Sequence, residues 1–411
     1  MRIEIEVEGT HASGDVLLGW VPRRVAVSLS ERPATTPVVL EATSTGAGGA
    51  LSFAQDLQTA PQASLRLEVP QGVNRASFLV AGRFPQASAA RNDAEMTLVA
   101  TAGASSARTL VPMTVLVRKN ANGLTVAERD RFLVAYARLN NQGRGLYQTF
   151  RDMHTRQASS NLHGGNHFLP WHRAFVLDLE RELQAIDPLV ALPYWRFDQP
   201  ASRVLSRDFM GATRLTSDID LSPSNPLQTW ITDGEPGFDR RLRRPEEFPP
   251  ILDQDQTLAR GREFSQFTVL EGNPHGAAHV SFEGPISSVP TAAKDPLFFL
   301  LHCNVDRLWA NWQYFNARHD PASRLAYPDQ GRSSSPDRIA RRVLDTMWPW
   351  DNQTGGERPP SAPGGPMQGS SSAVAPGPTP TIGSMIDYQG RTGPDQDLGY
   401  DYDDVPYWGM R

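Results

Sequence analysis

The chain has one cysteine, no long hydrophobic run and little net charge, and each of these absences excludes a class of protein. Because Cys303 is the only cysteine among the 411 residues, no intrachain disulfide can form. The longest closely spaced apolar run, residues 296–301, is far too short to span a membrane. The net charge of −5 gives no electrostatic reason to bind nucleic acid or an anionic membrane. We therefore expect a water-soluble globular protein with neither kind of partner.

The amino terminus also lacks the apolar core of a secretory signal peptide. Residues 1–8 instead alternate between apolar and charged side chains after the initial methionine. A lone cysteine fits a reducing compartment. We expect a cytoplasmic protein, although export with a partner, or through a signal already trimmed from this chain, stays open.

Length and a change of pattern near residue 120 predict two domains. Residues 1–119 contain short runs, such as Ile3–Val7 and Leu65–Val69, in which apolar and polar residues alternate. Such runs, broken by Gly, Ser, Thr and Pro, predict an all-β, sandwich-like domain. This segment has one histidine, His11, and its sequence contains no recognisable catalytic or metal-binding motif. We interpret it as an accessory domain that shields the rest of the protein, binds a partner or adds stability.

Residues 120–411 are predicted to form a second, mainly α-helical domain. Thr125 and Glu128 have the spacing of a capping box, and apolar residues at helical spacing follow them. Residues 354–383 are rich in Pro, Gly and Ser and predict a flexible loop without regular structure. Aromatic residues return at Leu398–Trp408, which indicates that the loop comes back to the same domain.

A first group of histidines, His154, His163 and His172, surrounds the densest motif of the chain. In one continuous helix, the spacing of His163 and His172 would put them on opposite faces. The glycines after His163 favour a loop there, and Pro170 favours a helix that starts just before His172. A lone histidine is usually structural, but three that converge on one helix start are better explained as metal ligands. His167 lies outside this spacing and is predicted to support a ligand from behind or to be structural, rather than to bind the metal.

A second group, His275, His279 and His302, follows about a hundred residues later. His275 and His279 are four residues apart and would share one face of a helix. The dipeptide Asp295–Pro296 is a favourable helix start, and that helix would carry His302. Asp306, one turn further along, is predicted to hold the second ring nitrogen of His302.

Six of the nine histidines thus form two triplets. Neutral imidazoles in threes, without a carboxylate ligand, suit copper better than calcium, magnesium or manganese. We therefore expect a pair of copper ions that handle O2 together. Phe298, one turn before His302, is predicted to pack beside the metal. A zinc hydrolase is the weaker alternative, because Gly276 stands where a His-Glu-x-x-His motif would have its general base.

These motifs resemble those of the tyrosinase, catechol oxidase and haemocyanin family of dinuclear (type 3) copper proteins. Residues 163–173 are similar to the family's His-x8-His-Arg signature. The second signature, His-x3-His and then Asp-Pro-x-Phe-Phe-x-x-His-x3-Asp, is matched by His275, His279 and residues 295–306. The resemblance covers residues 124–408 and leaves out the β-rich part. It implies a four-helix bundle around the dinuclear copper site.

The resemblance also implies roles for single residues. The first histidine triplet would hold one copper ion and the second triplet the other. Glu271 resembles the glutamate that holds a water molecule near the metals, and Val289 resembles the gate residue above the first copper. The tyrosines of residues 400–402 resemble a motif that closes the catalytic domain. Gly276 stands where several tyrosinases with strong monophenol activity have asparagine.

The implied activity is the O2-dependent oxidation of o-diphenols to o-quinones, with small phenols and catechols as substrates. Because Gly276 replaces the asparagine, we expect ortho-hydroxylation of monophenols to be weaker. A haemocyanin-like oxygen-binding protein is the main alternative, although carriers of this family are usually large assemblies in which a further domain shields the coppers. The natural phenol and the oligomeric state stay open.

Overall fold

The computed structural model describes all residues except 33–34, 143–144, 155–161, 216–218, 335–340, 357 and 408–411. Its contacts divide the chain into two compact units. The first unit comprises residues 1–117, 370–374 and 399–411, and the second comprises residues 118–369 and 375–398. Trp408, the end of the segment predicted to regain order, lies outside the described residues. None of the helices in the described part of the chain is long and apolar enough to cross a membrane.

The first unit is built from β-strands, so the predicted β-rich amino-terminal part is confirmed. A four-stranded sheet has the order β1-β3-β7-β5, and a five-stranded sheet has the order β2-β9-β8-β4-β6. The strands are β1 (Arg2–Val7), β2 (Leu17–Leu18), β3 (Arg23–Ser30), β4 (Val38–Ser44), β5 (Leu51–Ala54), β6 (Ser64–Val69), β7 (Arg75–Gly82), β8 (Ala94–Ala102) and β9 (Ser105–Val115).

Alternation along these strands explains the core of the first unit. On β3, Val25, Val27 and Leu29 are buried, whereas the residues between them are only partly buried. Successive side chains of a strand point to opposite faces, so one face of each sheet becomes apolar. Side chains from both sheets, including Leu40 and Leu98 of the five-stranded sheet, form a single buried cluster.

The carboxyl-terminal segment is grouped with the first unit, whereas the sequence placed all of residues 120–411 in the second domain. Its hydrogen bonds give the reason. The Asp401 carboxylate accepts from the backbone N–H groups of Trp20 at 2.6 Å and Val21 at 3.3 Å. The buried Trp20 indole donates to the Tyr402 carbonyl at 2.7 Å. Buried polar groups are stable only when such partners exist, and these partners lie almost four hundred residues apart in the chain.

The second unit is mainly helical, as predicted, with long connections. Its α-helices are α1 (Val126–Ala137), α2 (Tyr147–Met153), α3 (Phe168–Ile186), α4 (Gln254–Leu258), α5 (Phe264–Phe267), α6 (Ala277–Val280) and α7 (Leu297–Asn316). Short strands pair as β10 (Ile231–Thr232) with β11 (Glu235–Pro236) and as β12 (Arg241–Leu242) with β13 (Phe282–Glu283). The 3₁₀ helices are Ala121–Gly123, Pro226–Thr229, Pro245–Glu247, Thr268–Glu271, Pro285–Ser287, Ala292–Lys294, Gly383–Met385 and Pro394–Gln396. Arg138–Gln142 and Gly272–Gly276 are π-helical.

Local sequence signals account for two helix starts. The Thr125 hydroxyl accepts from the Glu128 N–H, and the Glu128 carboxylate accepts from the Thr125 N–H, so the predicted capping box at the start of α1 is confirmed. At the start of α7, the Asp295 carboxylate accepts from the Leu297 N–H at 2.9 Å. Asp295 also pairs with Arg240 at 2.7 Å, and both side chains are completely buried. The start of α7 is therefore fixed by a hydrogen bond and by an ion pair.

Helices α3 and α7, the two long helices of the described residues, are joined by buried charges. Arg118 pairs with Glu180 of α3 at 2.7 Å and with Asp306 of α7 at 3.1 Å. Arg173 of α3 pairs with the same Asp306 at 2.5 Å and stacks 3.7 Å from the centre of the Trp309 ring. These four charges cancel in an interior position, which satisfies the condition for burying ionised groups.

The Pro/Gly/Ser-rich segment contains no helix or strand over those of residues 354–380 that the structure describes. Part of it is nevertheless bound to α3. Asp178 accepts from the Gln368 N–H at 2.9 Å, and Arg181 donates to the Ala375 carbonyl at 2.6 Å. The buried side chains of Met367 and Ala375 belong to the same segment.

Candidate metal centre

The histidines of the first triplet come from the end of one helix, from a loop and from the first turns of a second helix. His154 follows the last residue of α2, and His172 lies on α3 one turn after its start. His163 lies between them on the glycine-containing loop. The Nε2 atoms of His154 and His172 are 3.4 Å apart, and all three residues offer a ring nitrogen within 4.8 Å of the others.

The second triplet comes together in the same way. His275 lies in the π-helical turn before α6, His279 lies on α6, and His302 lies on α7. The Nε2 atom of His302 is 3.3 Å from Nε2 of His275 and 3.3 Å from Nε2 of His279. These three residues also offer ring nitrogens within 4.8 Å of one another.

The two triplets are neighbours. The rings of His172 and His302 stack with their centres 4.4 Å apart and their planes 13° from parallel. Phe298, as expected from its position on α7, packs against both groups, with its ring centre 4.2 Å from that of His302 and 4.9 Å from that of His154. The ring is fully buried.

The electrostatic environment keeps five of the six imidazoles neutral. Burial lowers the pKa of His154, His172, His275 and His302 well below the usual value, and the neighbouring histidines lower it further. Burial lowers the pKa of His279 to about 4. Metal binding requires an unprotonated ring nitrogen, so the histidines are ready to bind metal at neutral pH.

Backbone carbonyls orient three of the rings. Nδ1 of His172 donates to the Phe168 carbonyl at 2.8 Å. Nδ1 of His275 and of His279 donates to the carbonyls of Glu271 and Ile286, each at 2.7 Å. With the proton held on Nδ1, the lone pair is on Nε2, which is the atom that faces the other histidines. All-nitrogen triads of this kind fit copper ions.

One predicted partner is wrong. The sequence suggested that Asp306 would hold the second ring nitrogen of His302, but Nδ1 of His302 has no hydrogen-bond partner in the part of the chain that the structure describes. The Asp306 carboxylate instead accepts from Arg118 and Arg173. Two charge-assisted bonds to guanidinium groups stabilise a buried carboxylate more than one bond to a neutral imidazole.

Two histidines of each triplet, His154 and His163 and then His275 and His279, line a cavity of about 650 Å³. Glu271, Gly276 and Val289, three of the residues singled out in the sequence, line it. The Glu271 carboxylate is half-buried and accepts from the Gly164 N–H at 2.7 Å, and burial raises its pKa. Val289 is 45% exposed and lies in the wall of the cavity. His167 is buried at the start of α3 and belongs to neither triplet.

Other residues near the centre were not predicted from the sequence. Asn166 lines the cavity and donates to the Asp329 carboxylate at 2.8 Å. The buried ion pairs of Arg118 and Arg240 hold the helices that carry the histidines. These partners are 55 to 188 residues apart in the chain, so no local pattern connects them.

The chain matches known proteins over the same part. Residues 144–314 match the family described as the common central domain of tyrosinase. The tyrosinase of Streptomyces antibioticus is 32% identical over 270 residues, which are 58% of this chain and 94% of the relative. Grixazone synthase of Streptomyces griseus is 30% identical over 267 residues, which are 50% of this chain and 85% of that enzyme.

Among solved structures, a functional unit of octopus haemocyanin is 21% identical, with a TM-score of 0.48 over 71% of this chain and 69% of that one. The length and identity of the match to the Streptomyces tyrosinase, together with two adjacent histidine triads, establish the relationship. The chain belongs to the tyrosinase family of type 3 copper oxidoreductases.

Proposed function

We propose that the chain is a copper-dependent phenol oxidase that uses O2 to oxidise o-diphenols to o-quinones, with weaker ortho-hydroxylation of monophenols. The observation that carries this proposal is the pair of adjacent histidine triads at the cavity. His154, His163 and His172 would hold one copper ion, and His275, His279 and His302 the other. The helices that carry them, α2, α3, α6 and α7, would act as the proposed four-helix bundle.

When bound, the copper pair would accept two electrons from the diphenol and pass them to O2. The chain's own contribution is positional. Hydrogen bonds from Nδ1 to backbone carbonyls fix the orientation of His172, His275 and His279. The stacked rings of His172 and His302 keep the two triads side by side. A site whose ligands are fixed before the metal binds loses little free energy in reorganisation.

Glu271 is the proposed proton acceptor. Conversion of an o-diphenol to a quinone releases two protons together with two electrons, so a base within reach of the phenolic oxygens is useful. The Gly164 N–H fixes one carboxylate oxygen of Glu271, and burial raises the pKa of the group toward the range in which it takes up a proton readily. Val289 and Val269 add apolar wall against which an aromatic ring can pack.

Gly276 supports the preference for diphenols. It follows His275 and lines the cavity, yet it offers no amide that could help Glu271 to deprotonate a bound monophenol. A Cβ at this helical position would lie 3.3 Å from the Glu271 carbonyl oxygen, a close contact that requires a small shift of that backbone. The missing side chain therefore changes the chemistry of the cavity and also avoids a tight contact.

Initial rates on a matched pair of substrates test the proposal. The copper-loaded full chain should oxidise 4-methylcatechol at once, with O2 uptake, and p-cresol much more slowly or after a lag. Comparable p-cresol oxidation without a lag would contradict the diphenol preference. Reversible O2 binding without any catechol turnover would instead support an oxygen carrier.

We also propose that residues 1–119 are an accessory unit that limits activity. Limited proteolysis near residue 120 gives the test. Catechol oxidation that rises after cleavage would support this role, and unchanged oxidation would contradict it.

A further inference from the structure

Asn166 is held in the cavity wall by a carboxylate. Its amide nitrogen donates to an oxygen of Asp329 at 2.8 Å. An ionised carboxylate only accepts hydrogen bonds, so the amide must turn its NH2 group toward Asp329. The amide oxygen takes no part in that bond and remains an acceptor. The backbone of Asp329 is itself fixed, because its carbonyl accepts from the Val343 N–H at 3.0 Å.

The charge on the lining of the cavity is also negative. Of the lining residues that the structure describes, Glu271 is the one with a carboxylate, and none is a lysine or an arginine. Ser287 and Thr268 add hydroxyl groups. A molecule that enters the cavity therefore lies near two carboxylates: that of Glu271 in the wall, and that of Asp329, which is hydrogen-bonded to Asn166.

We propose that Asn166, oriented by Asp329, acts together with Glu271 to select catechols whose side chain ends in an ammonium group over catechols whose side chain ends in a carboxylate. This inference rests on the proposed phenol oxidase function and deepens it, because it names the charge class of the substrate. Asn166 is the specificity residue in the wall, and Asp329 is its positioning residue.

The expected effect is moderate, because the cavity is open to water. A unit charge several ångströms away in such surroundings changes binding by about 1.5- to twofold. An ammonium and a carboxylate differ by two charges, and each experiences both Glu271 and Asp329. We expect a total discrimination of about tenfold in kcat/KM between the two classes.

Three catechols with the same ring measure this discrimination. Dopamine ends in an ammonium group, 4-ethylcatechol is neutral, and 3,4-dihydroxyphenylacetate ends in a carboxylate. With the copper-loaded full chain, kcat/KM should fall in that order. Equal values for all three, or a preference for the acid, would overturn the inference without affecting the proposed oxidase activity.

The variant Asp329→Asn isolates the positioning residue. It removes one charge and lets the Asn166 amide turn around, so the ratio of kcat/KM for dopamine to that for 3,4-dihydroxyphenylacetate should fall at least about threefold. The matched control is Asp208→Asn, the same chemical change at an exposed residue that does not line the cavity. An unchanged ratio in folded Asp329→Asn, or an equal change in the control, would contradict the role of Asp329.

Binding of compounds that cannot be oxidised gives a readout that is independent of catalysis. Phenethylamine and phenylacetate have no phenolic hydroxyl, and saturation-transfer NMR with the full chain measures their affinity. Phenethylamine should bind several-fold more tightly, and Asn166→Leu should reduce that difference even if Asp329→Asn does not fold. Equal affinity in the wild-type chain would overturn the inference. Absence of catechol oxidation with the binding preference intact would overturn only the oxidase proposal.

Discussion

Replacement of Asp306 by asparagine tests whether buried charges hold the metal-binding helices together. Asp306 accepts from Arg118 and from Arg173, and all of these side chains are at most 2% exposed. With Glu180 included, this cluster contains two positive and two negative charges. Asp306→Asn preserves size and shape but leaves one buried guanidinium charge uncompensated.

The cost follows from that uncompensated charge. Removing one partner of a buried ion pair typically destabilises a protein by about 3–5 kcal/mol. For a unit of this size, that corresponds to a fall in melting temperature of roughly 6–20 °C. His302 lies one turn before Asp306, and His172 immediately precedes Arg173. We therefore also expect copper to bind about tenfold to a hundredfold more weakly, as it does when groups behind the ligands are changed.

Calorimetry of the metal-free chain and copper titration of the same preparation measure the two effects. Asp220→Asn is the matched control, because Asp220 pairs with Arg207 at 2.9 Å while their side chains are 46% and 55% exposed. An exposed pair of this kind contributes less than about 1 kcal/mol. If Asp306→Asn melts like Asp220→Asn and binds copper like the wild-type chain, the reasoning is refuted.

Three further predictions concern the metal centre and its pocket. The metal-free chain should be most stable above pH 6.5, and protonation of His279 alone should lower its free energy of unfolding by up to about 3 kcal/mol as the pH falls to 4, because His279 takes up a proton near pH 6.5 in the unfolded chain and near 4 in the folded chain. Thermal melts at pH 8 and pH 5 check this, and equal stability at the two pH values would contradict it. Gly276→Asn should raise the p-cresol rate relative to 4-methylcatechol about tenfold or less, since it places an amide beside Glu271, and an unchanged ratio would count against that role. His163→Ala should retain about one copper per chain and His167→Ala about two, as measured by metal analysis; the reverse result would exchange their roles.

Much of the metal centre could be predicted from the sequence because its ligands come in short motifs. The four-residue spacing of His275 and His279 and the glycines after His163 each restrict the backbone locally. His167 could be set aside on spacing alone, and it lies in neither triad. The capping box of α1 is a local signal of the same kind, and the structure contains both of its hydrogen bonds.

The remainder depended on contacts between distant residues. Asp306 lies at the right helical spacing for His302, but two arginines far away in the chain compete for its carboxylate, and electrostatics favours them. Asp401 bonds to the backbone near Trp20, which groups the carboxyl-terminal segment with the β-rich unit. No periodic pattern in the sequence predicts the partners of Asp306 or Asp401, because these hydrogen bonds depend on which buried groups come together after folding.

Metal stoichiometry is the most direct test of the central proposal that the two triads hold a pair of copper ions. The metal-free full chain is titrated with copper and with zinc, and the ions bound per chain are counted by native mass spectrometry. We predict two copper ions per chain, and one fewer when His302 is replaced by alanine, since that residue belongs to the second triad. One copper ion in the wild-type chain, or zinc retained in preference to copper, would contradict the account.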